Sequence, residues 1–275
     1  MRQDIVYIIQ NLVPMNTAPI YQVDAFSDKL FRGNPAAVCL LEQWPDDEVL
    51  QKIAQENNLS ETAFLVKNHH GFDIRWFTPS MEVDLCGHAT LASAHVLFHI
   101  RNFTQHEIEF SSRSGLLKVV NDGNRLTLDF PSDPPQPGGA EPGLLESLGI
   151  LNGEIFKGKT DLMVVVENQE IVAGLTPNFS DLNKLPVRGV IVTAPGETVD
   201  FVSRFFAPSA GINEDPVTGS AHCTMTPYWS DRLNKSSLIA QQLSSRKGDL
   251  VCEMAGDRVK ISGSAVTYLS GLVSF

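Results

Sequence analysis

Positive charge is scarce in this chain. Its 275 residues include 21 Lys and Arg against 32 Asp and Glu, a formal net charge of −11. No Lys/Arg cluster offsets that balance locally, so nucleic acid, which is held mainly through its phosphates, is excluded as a partner. Cysteine is scarce too: Cys39, Cys86, Cys223 and Cys252 lie far apart, with no CxxC spacing. Neither a disulfide framework nor a structural zinc site fits that pattern, and reduced thiols in a cytoplasmic protein are expected. Long apolar runs are absent, which removes the membrane as a partner. There is no low-complexity tract either, and 43% apolar with 19% charged residues is the composition of an ordinary globular protein.

What the chain does have is a repeat. Residues 75–80 read Arg-Trp-Phe-Thr-Pro-Ser and residues 204–209 read Arg-Phe-Phe-Ala-Pro-Ser. About ten residues after each comes a Gly-X-Ala stretch, Cys86-Gly87-His88-Ala89 and then Thr218-Gly219-Ser220-Ala221. Further on, Ser111-Ser112-Arg113, Gly115, Leu117, Gly123 and Arg125 match Ser244-Ser245-Arg246, Gly248, Leu250, Gly256 and Arg258. The offsets run only from 129 to 133. Repeats at half the chain length mean two related domains rather than a solenoid, whose periods are about 20–50 residues. Two facing domains make a cleft, a favoured place for a ligand. Residues that differ between the copies are the first suspects for chemistry.

Residues 1–18, with a short apolar stretch at Ile5–Ile9 broken by polar neighbours, are expected to be an extension outside the fold. The first domain is expected over 19–133 and the second over 143–275, joined by the Pro- and Gly-rich linker Pro131–Pro142. Alternation and turn residues predict strands at Tyr21–Phe26, Ala36–Leu41, Thr62–Val66, Phe72–Phe77, Glu107–Phe110, Leu116–Val120 and Arg125–Phe130. A helix starts at Pro45-Asp46-Asp47, and Ala89–Ile100, apolar on nearly every side, reads as a helix enclosed by its own domain. The second half repeats the plan: strands near 162–166, 188–193 and 200–206, a helix at 219–232, and a hairpin at 250–262. The fold class is therefore α+β, two pseudo-symmetric domains, each a mostly antiparallel sheet around one central helix. The hairpins exclude a doubly wound parallel sheet.

Both central helices open on small residues, Cys86-Gly87-His88 and Thr218-Gly219-Ser220. Free N–H groups and the dipole make such a terminus an anion site, and glycine admits a ligand to the backbone. Ser or Thr at that point also serves as a simple cap, and that reading stays open. Glu61 opens an apolar strand, where a carboxylate suits a general base that also returns the proton; a solvated strand-edge glutamate is the plain alternative. His88 falls in the first turn of its helix, where the dipole favours a neutral ring. Asp215, held extended before Pro216, either orients a substrate group or serves as a turn residue. His95 and His99 share a helix face, but without an acidic partner or an HExxH pattern no metal is expected.

The ordered segments Gly33-Asn34-Pro35-Ala36-Ala37-Val38, Ser60-Glu61-Thr62-Ala63-Phe64, Asp84-Leu85-Cys86-Gly87-His88-Ala89-Thr90 and Glu214-Asp215-Pro216-Val217-Thr218-Gly219-Ser220-Ala221 carry a resemblance. From about Ile20 onward the chain resembles the phenazine-biosynthesis PhzF-like family. The resemblance implies the diaminopimelate-epimerase-like fold, with a catalytic cleft between two pseudo-symmetric domains. It implies a cofactor-free isomerase acting on a small anionic molecule by proton transfer, and by analogy a homodimer. Glu61 would be the acid/base, and His88 and Asp215 would bind and orient the substrate. Gly87, Gly219 and Ser220 would contact its carboxylate, with Cys86 and Thr218 beside them. Related epimerases use two opposed thiols; here Asp215 and Thr218 stand where the second would be, which disfavours a two-thiol racemase. The remaining rivals are an epimerase pairing Glu61 with Asp215 or Cys86, and a binding protein without turnover.

Overall fold

The structure is a computed structural model describing residues 16–139 and 141–275. Most of the expected N-terminal extension, residues 1–15, lies outside the described residues, while Thr17 already belongs to the first strand.

The first half runs β1 (Thr17–Ala25), β2 (Asn34–Leu41), α1 (Asp47–Asn57), β3 (Glu61–Lys67), β4 (Phe72–Phe77) and β5 (Glu82–Val83). It continues through α2 (Gly87–His95), β6 (Glu107–Ser112), β7 (Gly115–Asn121) and β8 (Leu126–Pro131). Strand β9 (Gln136–Pro137) ends the first half, and the second follows with α3 (Leu144–Leu148), β10 (Glu154–Lys157), β11 (Asp161–Val165), α4 (Gln169–Ala173) and α5 (Phe179–Leu182). Then come β12 (Gly189–Pro195), β13 (Phe201–Ala207), β14 (Ile212–Asp215) and α6 (Gly219–Leu233). Strands β15 (Ser237–Gln242), β16 (Gly248–Ala255), β17 (Arg258–Gly263) and β18 (Ala265–Ser274) complete the chain.

The halves share one pairing plan. In the first, β2 and β3 are parallel across α1, and β4 and β6 are parallel across α2. In the second, β11 and β12 are parallel across α4 and α5, and β13 and β15 across α6. The other pairings are antiparallel, so the expected mixed class with a mostly antiparallel sheet holds. The halves join where β8 pairs antiparallel with β17. Each also lends a strand: β9 pairs with β10 of the second half, and β18 returns to β1 of the first.

The sequence repeat is built into this symmetry. Arg75 on β4 grips Glu82 through Nε and Nη2, each at 2.7 Å. Arg204 on β13 grips Glu214 in the same way, at 2.7 and 2.9 Å. Each guanidinium lies over the phenylalanine two residues on, 5.1 Å from Phe77 and 5.0 Å from Phe206. The later repeat marks matching hairpins, whose turns place Gly123 and Gly256 at positive φ, 90° and 68°.

Strands β3 and β12 are buried on both faces, which is why they read as unbroken apolar runs. Ala63 and Leu65 face α2 inside, while Phe64 packs outward with Leu50, Ile53 and Ala54 of α1. In the second half, Ile191 faces inward and Val190 and Val192 pack against the cluster of α3 to α5. Helix α2 is enclosed as expected: Ala89, Leu91, Ala92 and Ala94 are all fully buried. It ends in a π-turn over Val96–Ile100. The enclosure leaves the N-termini of α2 and α6 at the junction between the halves.

Candidate active site

The two central helices meet end to end. A Cβ built on Gly87 would stand 3.9 Å from Gly219 Cα, and the reverse contact is also 3.9 Å. A methyl at either glycine would fill the gap between the two termini in ordinary van der Waals contact with the opposite backbone. Neither N-cap residue, Cys86 or Thr218, caps its helix through its side chain. The capping alternative therefore fails for Thr218, and the first-turn N–H groups, which have no acceptor within their helices, are left toward the junction.

Around that junction is a cavity of about 560 Å³ whose walls include Glu61, Cys86, Gly87, His88, Asp215, Thr218, Gly219 and Ser220. The structure thus brings together every residue that the sequence singled out for the site. Glu61 stands at the first position of β3, beside Ala36 of β2 in register. Its Oε2 lies 3.2 Å from His88 Nε2. The pair is out of line for a hydrogen bond, and both atoms are buried without one. On its other side the His88 ring has Nδ1 3.2 Å from Asn34 Nδ2 and 3.5 Å from Cys86 Sγ.

Asn34, fully buried, links the halves. Its amide donates to Asp215 Oδ1 at 2.7 Å and to the Val217 carbonyl at 2.9 Å. Thr218 Oγ1 donates to Asp215 Oδ2 at 2.6 Å, so Asp215 is held from both sides rather than serving as a turn residue. Gln242, at the end of β15, completes the loop: Oε1 accepts from Thr218 N at 2.9 Å and Nε2 donates to the Asp215 carbonyl at 2.7 Å. Sequence reasoning gave neither Asn34 nor Gln242 a role. The signal for Asn34 was a polar residue opening an apolar run; Gln242 carried none.

Electrostatics sets the groups apart. Burial raises the Asp215 carboxyl to about 6, with Glu61 adding to the rise while His88 and the donors from Thr218 and Asn34 oppose it. Burial likewise pushes the Cys86 thiol to about 11. For His88 burial favours the neutral ring, yet Cys86 and Glu61 outweigh it, and its pKa stands well above the ordinary 6.5. Cys86 and Glu61 thus pull against the neutral imidazole expected from the helix dipole.

Glu61, Cys86 and His88 also place ligand atoms within 4.8 Å of one another, the only such trio among the described residues. His95 and His99 lie ring to ring at 5.0 Å, and burial, followed by His99, depresses His95 to about 4. The four cysteines are free and buried. No helix of the described residues is long and apolar enough to cross a membrane.

Known proteins match this chain along nearly its whole length. The family described as phenazine biosynthesis-like protein, PhzC-PhzF, matches residues 23–271. An uncharacterized isomerase of Pseudomonas aeruginosa is 54% identical over 252 residues, covering 92% of this chain and 97% of its own. The crystal structure of a PhzF-family phenazine biosynthesis protein from Enterococcus faecalis is similar with a TM-score of 0.92 and 48% identity, over 94% of this chain and 99% of that one. A hydroxyproline epimerase from Agrobacterium vitis, at 14% identity, covers 94% of this chain and 92% of its own with a TM-score of 0.60, a likeness of fold alone.

Proposed function

Since the chain belongs to the phenazine biosynthesis-like PhzC-PhzF family and is an isomerase, we propose that it moves a proton within a small carboxylated molecule, with Glu61 as the single acid/base and no cofactor. The observation that carries this reading is the Glu61 Oε2–His88 Nε2 pair, buried in the cavity wall without hydrogen bonds. A carboxylate oxygen held beside the His88 ring, with no donor occupying it, is free to take a proton from carbon. The electron pair released would move into the conjugated carboxylate, and the developing charge would fall toward the paired helix ends at Gly87 and Gly219. Glu61 would then return the proton at another carbon of the same molecule. Asp215, Thr218 and Ser220 would bind and orient the substrate on the facing wall, with Cys86 packed behind His88.

A single base is favoured over an opposed pair by the symmetry of the fold. Arg75 corresponds to Arg204, and counting along the ladders from these two matches Glu61 with Gly189. The facing strand therefore carries no carboxylate at the position of the base. Cys86 lies on the base's own side, its sulfur within 4.8 Å of the Glu61 and His88 ligand atoms, so an epimerase would have to draw its second base from Asp215, whose two oxygens already accept from Asn34 and Thr218.

Incubation with small carboxylated metabolites in D₂O tests the proposal. Wild-type protein is expected to label one metabolite and shift its double bond, whereas Glu61→Gln should fold normally and label nothing. Labelling by the variant at the wild-type rate would rule out Glu61 as the base. Exchange confined to one stereocentre would favour the epimerase.

A further inference from the structure

Taking the cleft above as the substrate site, we infer that Arg188 reads a second anionic group of the substrate, so that the molecule turned over is a dianion of the dicarboxylate class. Arg188 stands one residue before β12. The register that matches Glu61 with Gly189 matches Ser60 with Arg188, and the same counting matches Asn34 with Lys159. Where the first half presents Ser60 and Asn34 beside the base, the second presents two cations. Arg188 and Lys159 both line the cavity that holds Glu61 and His88.

Arg188 is held as a recognition arginine is held. Nε donates to Asp161 Oδ1 at 2.9 Å, and Nη2 donates both to Asp161 Oδ2 and, at 2.9 Å, to Ser220 Oγ. The Phe205 ring supports the guanidinium carbon, 5.5 Å from its centroid. Nη1 has no hydrogen-bond acceptor among the described residues. The Asp161 side chain is 2% exposed and the Arg188 side chain 41% exposed, so the buried acid anchors a cation whose free part meets the cavity.

A guanidinium fixed along one edge keeps its planar donors in place at little entropic cost, which suits a carboxylate. The contact with Ser220 ties the cation to the first turn of α6, so one carboxylate at the helix ends and another at Arg188 would lie on neighbouring parts of one wall. Lys159, exposed at the rim on a turn that donates its N–H to Asp133, adds a second, mobile cation facing the same group. A monocarboxylate would leave the Arg188 donors unmet in the closed cleft.

Equilibrium binding of matched acids by calorimetry tests this without turnover: succinate, glutarate and adipate, each against the monoacid with the same number of carbons. Wild-type protein and Glu61→Gln should both bind at least one diacid about 10- to 100-fold more tightly than its monoacid, the range of one charge-assisted contact. Arg188→Gln alone leaves Asp161 buried and unpaired and risks misfolding. The double variant Arg188→Gln/Asp161→Asn removes both charges, and its preference should fall to about 1. The Arg188 Nε–H resonance should shift with diacid and not with monoacid. Full preference in the double variant, or none in the wild type, overturns the inference. Diacid preference without deuterium exchange would remove the isomerase reading while Arg188 kept its role; exchange on monoacids without diacid preference would do the opposite.

Discussion

His88 Nε2 and Glu61 Oε2 face one another at 3.2 Å, and neither has a hydrogen bond. If His88 serves to aim Glu61, the two act as one unit, and their losses are not additive. His88→Asn is expected to slow solvent exchange by about 10²- to 10⁴-fold, the usual scale of acid–base catalysis. The double variant with Glu61→Gln should then lose little beyond the larger single effect. Additive losses, read as deuterium incorporation per enzyme, would show the two residues to be independent.

The Asp215 carboxyl, raised by burial from 3.8 to about 6, makes a prediction about stability. A raised carboxyl binds its proton more tightly in the folded state than in the unfolded one. Its contribution is complete below about pH 4 and is lost as pH climbs through 6. Asp215→Asn carries no such proton. In urea unfolding, the stability of the wild type relative to this variant should fall by up to about 3 kcal/mol between pH 4 and pH 7. A difference that stays flat over that range would show that the Asp215 carboxyl is not raised above its ordinary value.

Gly219→Ala separates stability from function. The added methyl would meet only Gly87 Cα, at 3.9 Å, an ordinary contact. At a helical position the change should leave stability unaltered or raise it by up to about 1 kcal/mol. The same methyl stands between the two helix ends, where the substrate carboxylate is proposed to lie. Exchange should drop at least about tenfold while the melting temperature holds or rises; undiminished exchange would place the carboxylate elsewhere.

Much of this was legible because the repeat carries its own register. Arg75 and Arg204 marked corresponding strands, and from them Gly87 and Gly219 could be set opposite one another before any coordinates. The identity of Glu61 as the base came from resemblance, since a glutamate opening an apolar strand is ordinary by itself. The exchange of strands was not legible. Strand β9 has two residues, and β18 is mostly exposed through its middle, without the alternation that marks a half-buried strand. Helices α3, α4 and α5, at four or five residues, are too short to show a period; packing holds them, helped by the side-chain caps of Asn168 on α4 and Asn178 on α5. The pull of Glu61 on His88 was not legible, because the helix dipole is local to its own sequence, whereas Glu61 reaches the ring only through the fold.

Asn34 is the residue whose removal should affect both halves at once. Its single amide serves Asp215, Val217 and the neighbourhood of His88 across the junction. Asn34→Ala strands a buried carbonyl and a buried carboxyl oxygen, which should cost about 1–3 kcal/mol. A packing defect alone would produce a loss of that size, so a second reading is needed. Asn34 is one of the groups that hold the Asp215 carboxyl down against burial. Without it the carboxyl should titrate above 6, and the pH at which the stability advantage over Asp215→Asn disappears should move upward in the Asn34→Ala background. An unmoved midpoint with the same loss of stability would make Asn34 a packing residue, with no hold on the Asp215 carboxyl.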